Sequence, residues 1–260
     1  MKTILALGGI TILVCGLAAA QTGSGNSIVI PPHSTRPRQV NVHTMNVSIT
    51  VTAYDGKDVI VERAGGSRRE ESHGMRRLDV PRGFTVEEGD NVIEIRSSPL
   101  GDAHDISVQV PVNTSLNLHT LNGQIRVDGV HGEIVLHTNN GRIEANRVAG
   151  TVVADTLNGK IAVGMEGVDQ SKPLSFSTLN GTIDVSMPAD LKANVRFKTS
   201  HGAVYSDFDV LMGGTLTEPD HSGQGKYRLR YDSGMQGRIN GGGVDISFRT
   251  LNAPIYLHKK

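Results

Sequence analysis

A short pattern recurs through the middle of the chain and limits what it can fold into. It reads His119-Thr-Leu-Asn-Gly-Gln-Ile, His137-Thr-Asn-Asn-Gly-Arg-Ile, Asp155-Thr-Leu-Asn-Gly-Lys-Ile, Ser177-Thr-Leu-Asn-Gly-Thr-Ile and Lys198-Thr-Ser-His-Gly-Ala-Val. An internal repeat sets the architecture before local propensity does. Gly123, Gly132, Gly141, Gly150 and Gly159 are spaced by nine, yet the threonine returns only at Thr120, Thr138 and Thr156, so the unit is eighteen residues with two unlike turns alternating.

Aligned on the threonine, the repeats form columns. Leu116, Ile134, Val152, Leu174 and Val195 make one, and Leu118, Leu136, Ala154, Phe176 and Phe197 the next. After the turn come Ile125, Ile143, Ile161, Ile183 and Val204, then Val127, Ala145, Val163 and Val185. These positions point inward. The residues between them, such as Gln124, Arg142, Lys160 and Thr182 or Arg126, Glu144 and Asp184, face solvent, as period-two alternation requires.

Asn-Gly between apolar strands is also a hairpin signal, so an antiparallel meander is the rival. In a meander, equal turns on one edge lie roughly 10 Å apart and nothing obliges them to match; in a parallel coil they are neighbours at about 4.8 Å, where asparagines bond along the ladder. Repetition at eighteen rather than nine favours an all-β, parallel β-solenoid of about five or six coils of roughly 18–22 residues. The N-terminal strands would continue or cap it.

The 260-residue chain has 26 acidic and 26 basic residues, which gives no bulk charge to recruit nucleic acid. Aromatics are 4%, tryptophan is absent and glycines number 31, so the core must be Val, Ile and Leu between tight turns. Residues 1–20 read as a secretory signal: Lys2, the apolar Ile4 to Leu17, and Ala18-Ala19-Ala20 at the cleavage site, which would leave Gln21 first. The apolar run is shorter than a spanning helix needs. Cys15 lies within it after Val14, where a lipoprotein signal has a small residue, so the mature chain has no cysteine and no disulfide. The expected localisation is periplasmic, envelope-associated or extracellular. Residues 21–39, with Pro31, Pro32 and Pro37, have the composition of a disordered tether, and residues 40–258 form the single domain.

Within that domain Val40 to Ala53 and Val59 to Val61 alternate as strands around Asp55-Gly56. Ser67-Arg-Arg-Glu70 has the form of a capping box before Gly74, and strands resume at Phe84 to Val86, Val92 to Ile95 and Ile106 to Val110. After Ser206 the repeat is interrupted by a Gly-rich polar stretch with one strand-like run, Tyr227 to Tyr231. Gly237-Arg-Ile-Asn-Gly-Gly-Gly243 then leads into a last repeat over Val244 to Leu257, in which Ala253-Pro254 replaces the turn glycine and its successor. Proline cannot donate to a further ladder, which suits a terminal coil.

The Thr-x-Asn-Gly-x-Ile repeats, Val110-Pro111 before them and the Gly-x-Ile-Asn-Gly-Gly-Gly element resemble the bacterial β-strand-repeat domain family classed as candidate adhesins, a family of unknown function. The resemblance runs from about Val40 to His258. It implies an exported or envelope-associated β-solenoid. The family usually has Asp after the turn glycine; Gln124, Arg142, Lys160 and Thr182 depart from that, and with it from an acidic, cation-binding edge.

Candidate sites are few. His119, His137 and Asp155 share one outward column and have metal-ligand chemistry, but a solvated stack explains them equally and the sequence shows no group that would orient the imidazoles for a metal. His201 is a turn substitution. Arg68, Arg69, Arg76, Arg77 and Arg82 suit an anionic envelope polymer as partner, although Glu70, Glu71 and Asp79 lie among them. Val135 and Val153 mark a small apolar patch or lie under the N-terminal strands. A β-helical polysaccharide lyase or hydrolase needs paired carboxylates, yet Glu144, Asp155, Glu166 and Asp184 share no column. No nucleophile turn or His-Glu-x-x-His occurs, and Gly241 to Gly243 lack the lysine of a phosphate loop. The expectation is an exported, non-catalytic, adhesin-like surface module without cofactor or metal, its partner unnamed by the sequence; the alternative is such a polysaccharide enzyme.

Overall fold

A computed structural model of the chain describes residues 21–22, 27–34, 36–64, 84–97, 105–213, 217–220, 228–231 and 234–260. The signal reading and the arginine-rich, capping-box loop lie outside these residues. No helix occurs among the described residues; 21 strands form one continuous mixed sheet, folded into two faces, beside a separate pair, Thr217–Asp220 with Arg228–Tyr231.

The first face stacks, in parallel and in spatial order, Val92–Ser97, Arg38–His43, Thr114–Asn122, His131–Asn140, the latter half of Ile143–Asn158, Leu174–Asn180, Val244–Arg249 and Ala193–Lys198. The second face stacks their continuations: Asp105–Pro111, Ile49–Tyr54, Ile125–Asp128, the first half of Ile143–Asn158, Ile161–Val168, Ile183–Met187, Ile255–Lys259 and Val204–Ser206. Each rung thus crosses one face, turns and returns along the other. Ile125 lies beside Ile143 and Ile143 beside Ile161, both in parallel, so the meander is excluded.

Three expectations need correction. The sheet is mixed rather than wholly parallel: Phe84–Gly89 caps the first face antiparallel at one end, Met235–Ile239 followed by Val210–Gly213 caps it at the other, and Val59–Ala64 with Ser27–Ile30 caps the second face. Antiparallel strands can close a stack with short connections, which a further parallel rung cannot. The rungs number eight rather than five or six, because Arg38–Tyr54 and Val92–Pro111 each contribute one. The last repeat is interior: Val244–Lys259 lies between the rung of Leu174–Met187 and that of Ala193–Ser206. Pro254 is tolerated there because the equivalent Gln124, Arg142, Lys160 and Thr182 donate no backbone hydrogen bond, while the Pro254 carbonyl accepts one from Ile183 N at 3.3 Å.

The tether reading also fails for part of its length. Ser27–Ile30 pairs with Val59–Glu62, and Arg38, 4% exposed, donates to the carbonyls of Ile30 and Pro31 and to Glu88 at 2.6 Å. A buried guanidinium held this way fixes the chain that composition alone would leave loose.

The core lies between the faces and holds the expected columns, including Ile143, Ile161 and Ile183 at 0% exposure. Phe248 enters the column between Phe176 and Phe197, with ring centroids 5.3 and 5.1 Å apart. The repeat threonines are buried too. Thr138, Thr156, Thr178 and Thr250 each donate to the turn-glycine carbonyl of the preceding rung, those of Gly123, Gly141, Gly159 and Gly181, at 3.1–3.2 Å. Such a buried polar row is stable because every hydroxyl has an acceptor. Those glycines are required by proximity: a Cβ on Gly141 or Gly159 would lie 1.9 Å from the glycine oxygen of the rung before. Beside them an asparagine ladder runs Asn46, Asn122, Asn140, Asn158, Asn180 and Asn252, each amide donating to the one before at 2.6–2.8 Å. His201 takes the next place and ends it.

Candidate functional site

Because side chains alternate along each strand, the residue before each repeat threonine points away from the core, and parallel registration places these residues in one column. In spatial order the column is Arg96, His43, His119, His137, Asp155, Ser177, Arg249 and Lys198. His119 and His137 stack with centroids 4.8 Å apart and planes 7° from parallel, and His43 tilts 6.0 Å from His119. His137 Nδ1 lies 3.0 Å from Asp155 Oδ2, and His43 Nε2 lies 4.0 Å from Glu94 Oε2. Burial, then the neighbouring His137 and His43, hold His119 below the ordinary imidazole value.

The structure therefore brings His119, His137 and Asp155 together and adds His43, but the rings of His119 and His137 stack in nearly parallel planes and that of His43 tilts beside them. Among the described residues no group of three His, Cys, Asp or Glu could hold a metal ion.

After each threonine a second outward column runs alongside the first, with Met45, Leu157, Leu179 and Leu251 exposed by 51, 47, 40 and 37%. Leu157, Leu179 and Leu251 sit on three consecutive rungs. Together with Asp155, Ser177 and Arg249 they line a groove of about 320 Å3. One wall is apolar and the other charged, whereas in the ladders of the second face charged side chains satisfy one another. On the second face Arg126 and Arg142 both bind Glu144, which holds its carboxyl below the usual range, Arg142 contributing most. Lys160 reaches Asp184 at 2.7 Å, and His258 lies 3.0 Å from Asp207 and 3.6 Å from Asp184. Arg249, by contrast, makes no ion pair among the described residues.

Glu144 and Asp184 face out from the second face and Asp155 from the first, so these carboxylates do not converge. Val135 is 39% exposed beside Val153, which lines a second, larger groove of about 580 Å3 with Arg196, Arg238 and Asp245. The arginines 68, 69, 76, 77 and 82 lie outside the described residues.

His43 and the leucine column escaped the sequence reading. The signal for His43 was present: His43-Thr-Met-Asn46 copies His119-Thr-Leu-Asn122, with Val47 where the others have glycine. The leucines alternate out of phase with the inward set, and only the outward turn of the chain at the Asn-Gly corner leaves them exposed.

Residues 40–235 match the model of the Toastrack DUF4097 family. No curated protein sequence matches the chain. Solved structures similar to it include a candidate cell adhesion protein from Clostridium sporogenes, 9% identical, covering 90% of this chain and 98% of that one with a TM-score of 0.44. Another is a candidate adhesin from Bacteroides fragilis, 11% identical, covering 91% and 98% with a TM-score of 0.32. Likeness at that level carries no functional argument.

Proposed function

We propose that the chain, which belongs to the Toastrack DUF4097 family, is an exported, non-catalytic surface module that offers the outward column and its leucine wall to a partner. The observation that carries this is the groove of Asp155, Leu157, Ser177, Leu179, Arg249 and Leu251. Elsewhere the patterned polar residues are spent on one another: threonine on glycine carbonyl, asparagine on asparagine, arginine on Glu144. Here exposed apolar side chains meet polar groups with capacity left, which is the composition of a recognition surface. The parallel ladder beneath supplies rigidity, so the surface is organised before any partner arrives. The carboxylates Glu144, Asp155 and Asp184, set on different faces, support a binding rather than a hydrolytic role. Export rests on the reading of residues 1–20, and N-terminal sequencing of the mature protein should begin at Gln21.

The test is capture of residues 21–260 by isolated envelope polymers and glycans, compared with a Leu179→Ser/Leu251→Ser variant. Retention that drops in the variant supports the groove. Equal retention assigns binding to another surface, and new reducing or unsaturated ends in the glycan make the protein an enzyme.

A further inference from the structure

We propose that the column Arg96, His43, His119, His137, Asp155, Ser177, Arg249 and Lys198 is a proton-gated rail for a linear acidic polysaccharide. This rests on the surface-module reading and names its partner class. One side chain per rung, at a rung separation of about 4.8 Å, makes a straight array along a rigid axis. Such an array suits an extended chain with regularly recurring charges better than a single small anion.

The sign of the rail depends on the histidines. At neutral pH the cations sit at its ends, Arg96 on one side and Arg249 with Lys198 on the other, while Glu94 and Asp155 oppose them. Among the described residues, two carboxylates and one guanidinium face the three imidazoles. His43 meets Glu94 and lies beside Arg96, His137 meets Asp155 and the Asn139 amide oxygen at 3.2 Å, and His119 meets, among the described residues, only the two other rings. Glu133, on the same face, is engaged by Lys172. Two described carboxylates therefore serve three imidazoles, and the central one has no counter-charge among the described residues. Burial and its neighbours disfavour its proton in the free protein. A polyanion laid along the column would supply the missing charge, so binding takes up protons and strengthens as the pH falls through the imidazole range.

The flanks select a polysaccharide over a nucleic acid. Ser175 and Ser247, bonded to each other at 3.1 Å, and Ser177 offer hydroxyl partners, and Leu157, Leu179 and Leu251 offer an apolar strip to the C–H faces of sugars. Single-stranded bases stack on aromatic platforms, and the outer side of the described part of this face offers none beyond the imidazoles: the phenylalanines 176, 197 and 248 are buried, Phe84 packs against the core, and Tyr205 and Tyr256 stack on the second face.

The experiment measures binding of labelled dextran sulfate, whose charge is fixed, with polygalacturonate, inorganic polyphosphate and neutral dextran as parallel probes. It uses residues 21–260 at constant ionic strength between about pH 7.5 and 5.5, the interval over which an ordinary imidazole changes charge. Affinity for both acidic glycans should rise about tenfold per pH unit for each proton taken up, and proton uptake on binding should appear in buffers of different ionisation enthalpy. In His43→Gln/His119→Gln/His137→Gln the rise with falling pH should vanish; an unchanged thermal melt shows that the variant is folded. Arg249→Ser should weaken binding at every pH. Affinity independent of pH, or an equal rise in the triple variant, overturns the gate and leaves the groove reading intact. Binding to polyphosphate but to neither acidic glycan overturns the choice of polysaccharide. Equal capture of envelope glycans by the Leu179→Ser/Leu251→Ser variant, with the pH-dependent rise in dextran sulfate affinity still present, would mark failure of the leucine wall alone and leave the rail standing.

Discussion

The middle of the molecule and its two ends use the same rung but lay it down differently. From Thr114 to Met187 each rung stacks on the one before it in sequence. At either end the order is broken. Val92–Pro111 lies outside Arg38–Tyr54, and Ala193–Ser206 lies outside Val244–Lys259. Both ends reach this by splitting a hairpin: Ile49–Tyr54 and Val59–Ala64 flank Asp105–Pro111, as Val244–Arg249 and Met235–Ile239 flank Ala193–Lys198. The second split explains the Gly-rich element. The chain crosses over the start of the Ala193–Lys198 strand, where a Cβ on Gly243 would lie 2.3 Å from the Lys192 oxygen and Asn240, Gly241 and Gly242 adopt positive φ. The comparison teaches that a repeat dictates what a rung looks like, whereas edge pairing decides where it goes. It also shows how a stack closes: each end of the first face finishes in antiparallel strands rather than in another parallel edge open to addition.

Removing the last rung is the harshest way to probe the difference. Deleting residues 244–260 should take out an interior layer, so the rung of Ala193–Ser206 should lose its protease protection together with the caps beyond it. If only the terminal residues became unstable, the end would be built in sequence order after all.

Next in size are single changes in the middle. Ile143→Ala or Ile161→Ala should cost about 2–5 kcal/mol in a denaturant melt, since both side chains are fully buried. Thr156→Val keeps the shape and removes the bond to the Gly141 carbonyl, an expected loss of about 0.5–1.5 kcal/mol. A larger fall there would mean that the threonine row sets rung spacing as well as satisfying it.

Proton linkage should be weaker and has a defined sign. Arg142 and Arg126 lower the Glu144 carboxyl below its ordinary value near 4.5, so the unfolded chain binds that proton more tightly. Its contribution is complete above that value and is lost as the pH falls through the folded one. His119 is lowered from 6.5 and acts in the same direction at higher pH, its cost appearing as the pH falls below that value. Chemical melts across this range should lose slope in Glu144→Gln and in His119→Gln, each in its own window; unchanged slopes would place the linkage elsewhere. Lys160→Ala should be smallest, within about 0.5 kcal/mol, because its pair with Asp184 is exposed to water on both sides.

The middle was legible in the sequence because Thr-x-Asn-Gly-x-Ile carries its own explanation: the threonine needs the neighbouring carbonyl, the glycine needs the space, and the asparagine needs its copy one rung away. The ends were not, since nothing local in Ala253-Pro254 says whether another strand follows, and Val47 in place of glycine hid the rung of Arg38–Tyr54. Arg38 turned a tether into a packed segment through bonds to Ile30, Pro31 and Glu88 that no periodicity announces. For the site, the shared column of His119, His137 and Asp155 was readable from the repeat length. Arg249 was not placed beside Ser177, because that contact exists only through the insertion of the last rung.

That insertion is open to a direct measurement. The mature chain expected from residue 21 has no cysteine, and Ser175 lies beside Ser247, their hydroxyl oxygens 3.1 Å apart, whereas Arg196 lies one rung further on. A disulfide needs Cα atoms about 4.4–6.8 Å apart. Oxidising Ser175→Cys/Ser247→Cys should close a cross-link quickly and quantitatively, seen as a shift in gel mobility reversed by reductant, while Ser175→Cys/Arg196→Cys should stay reduced. A cross-link between positions 175 and 196, with none between 175 and 247, would mean that the rungs follow the order of the chain to its end.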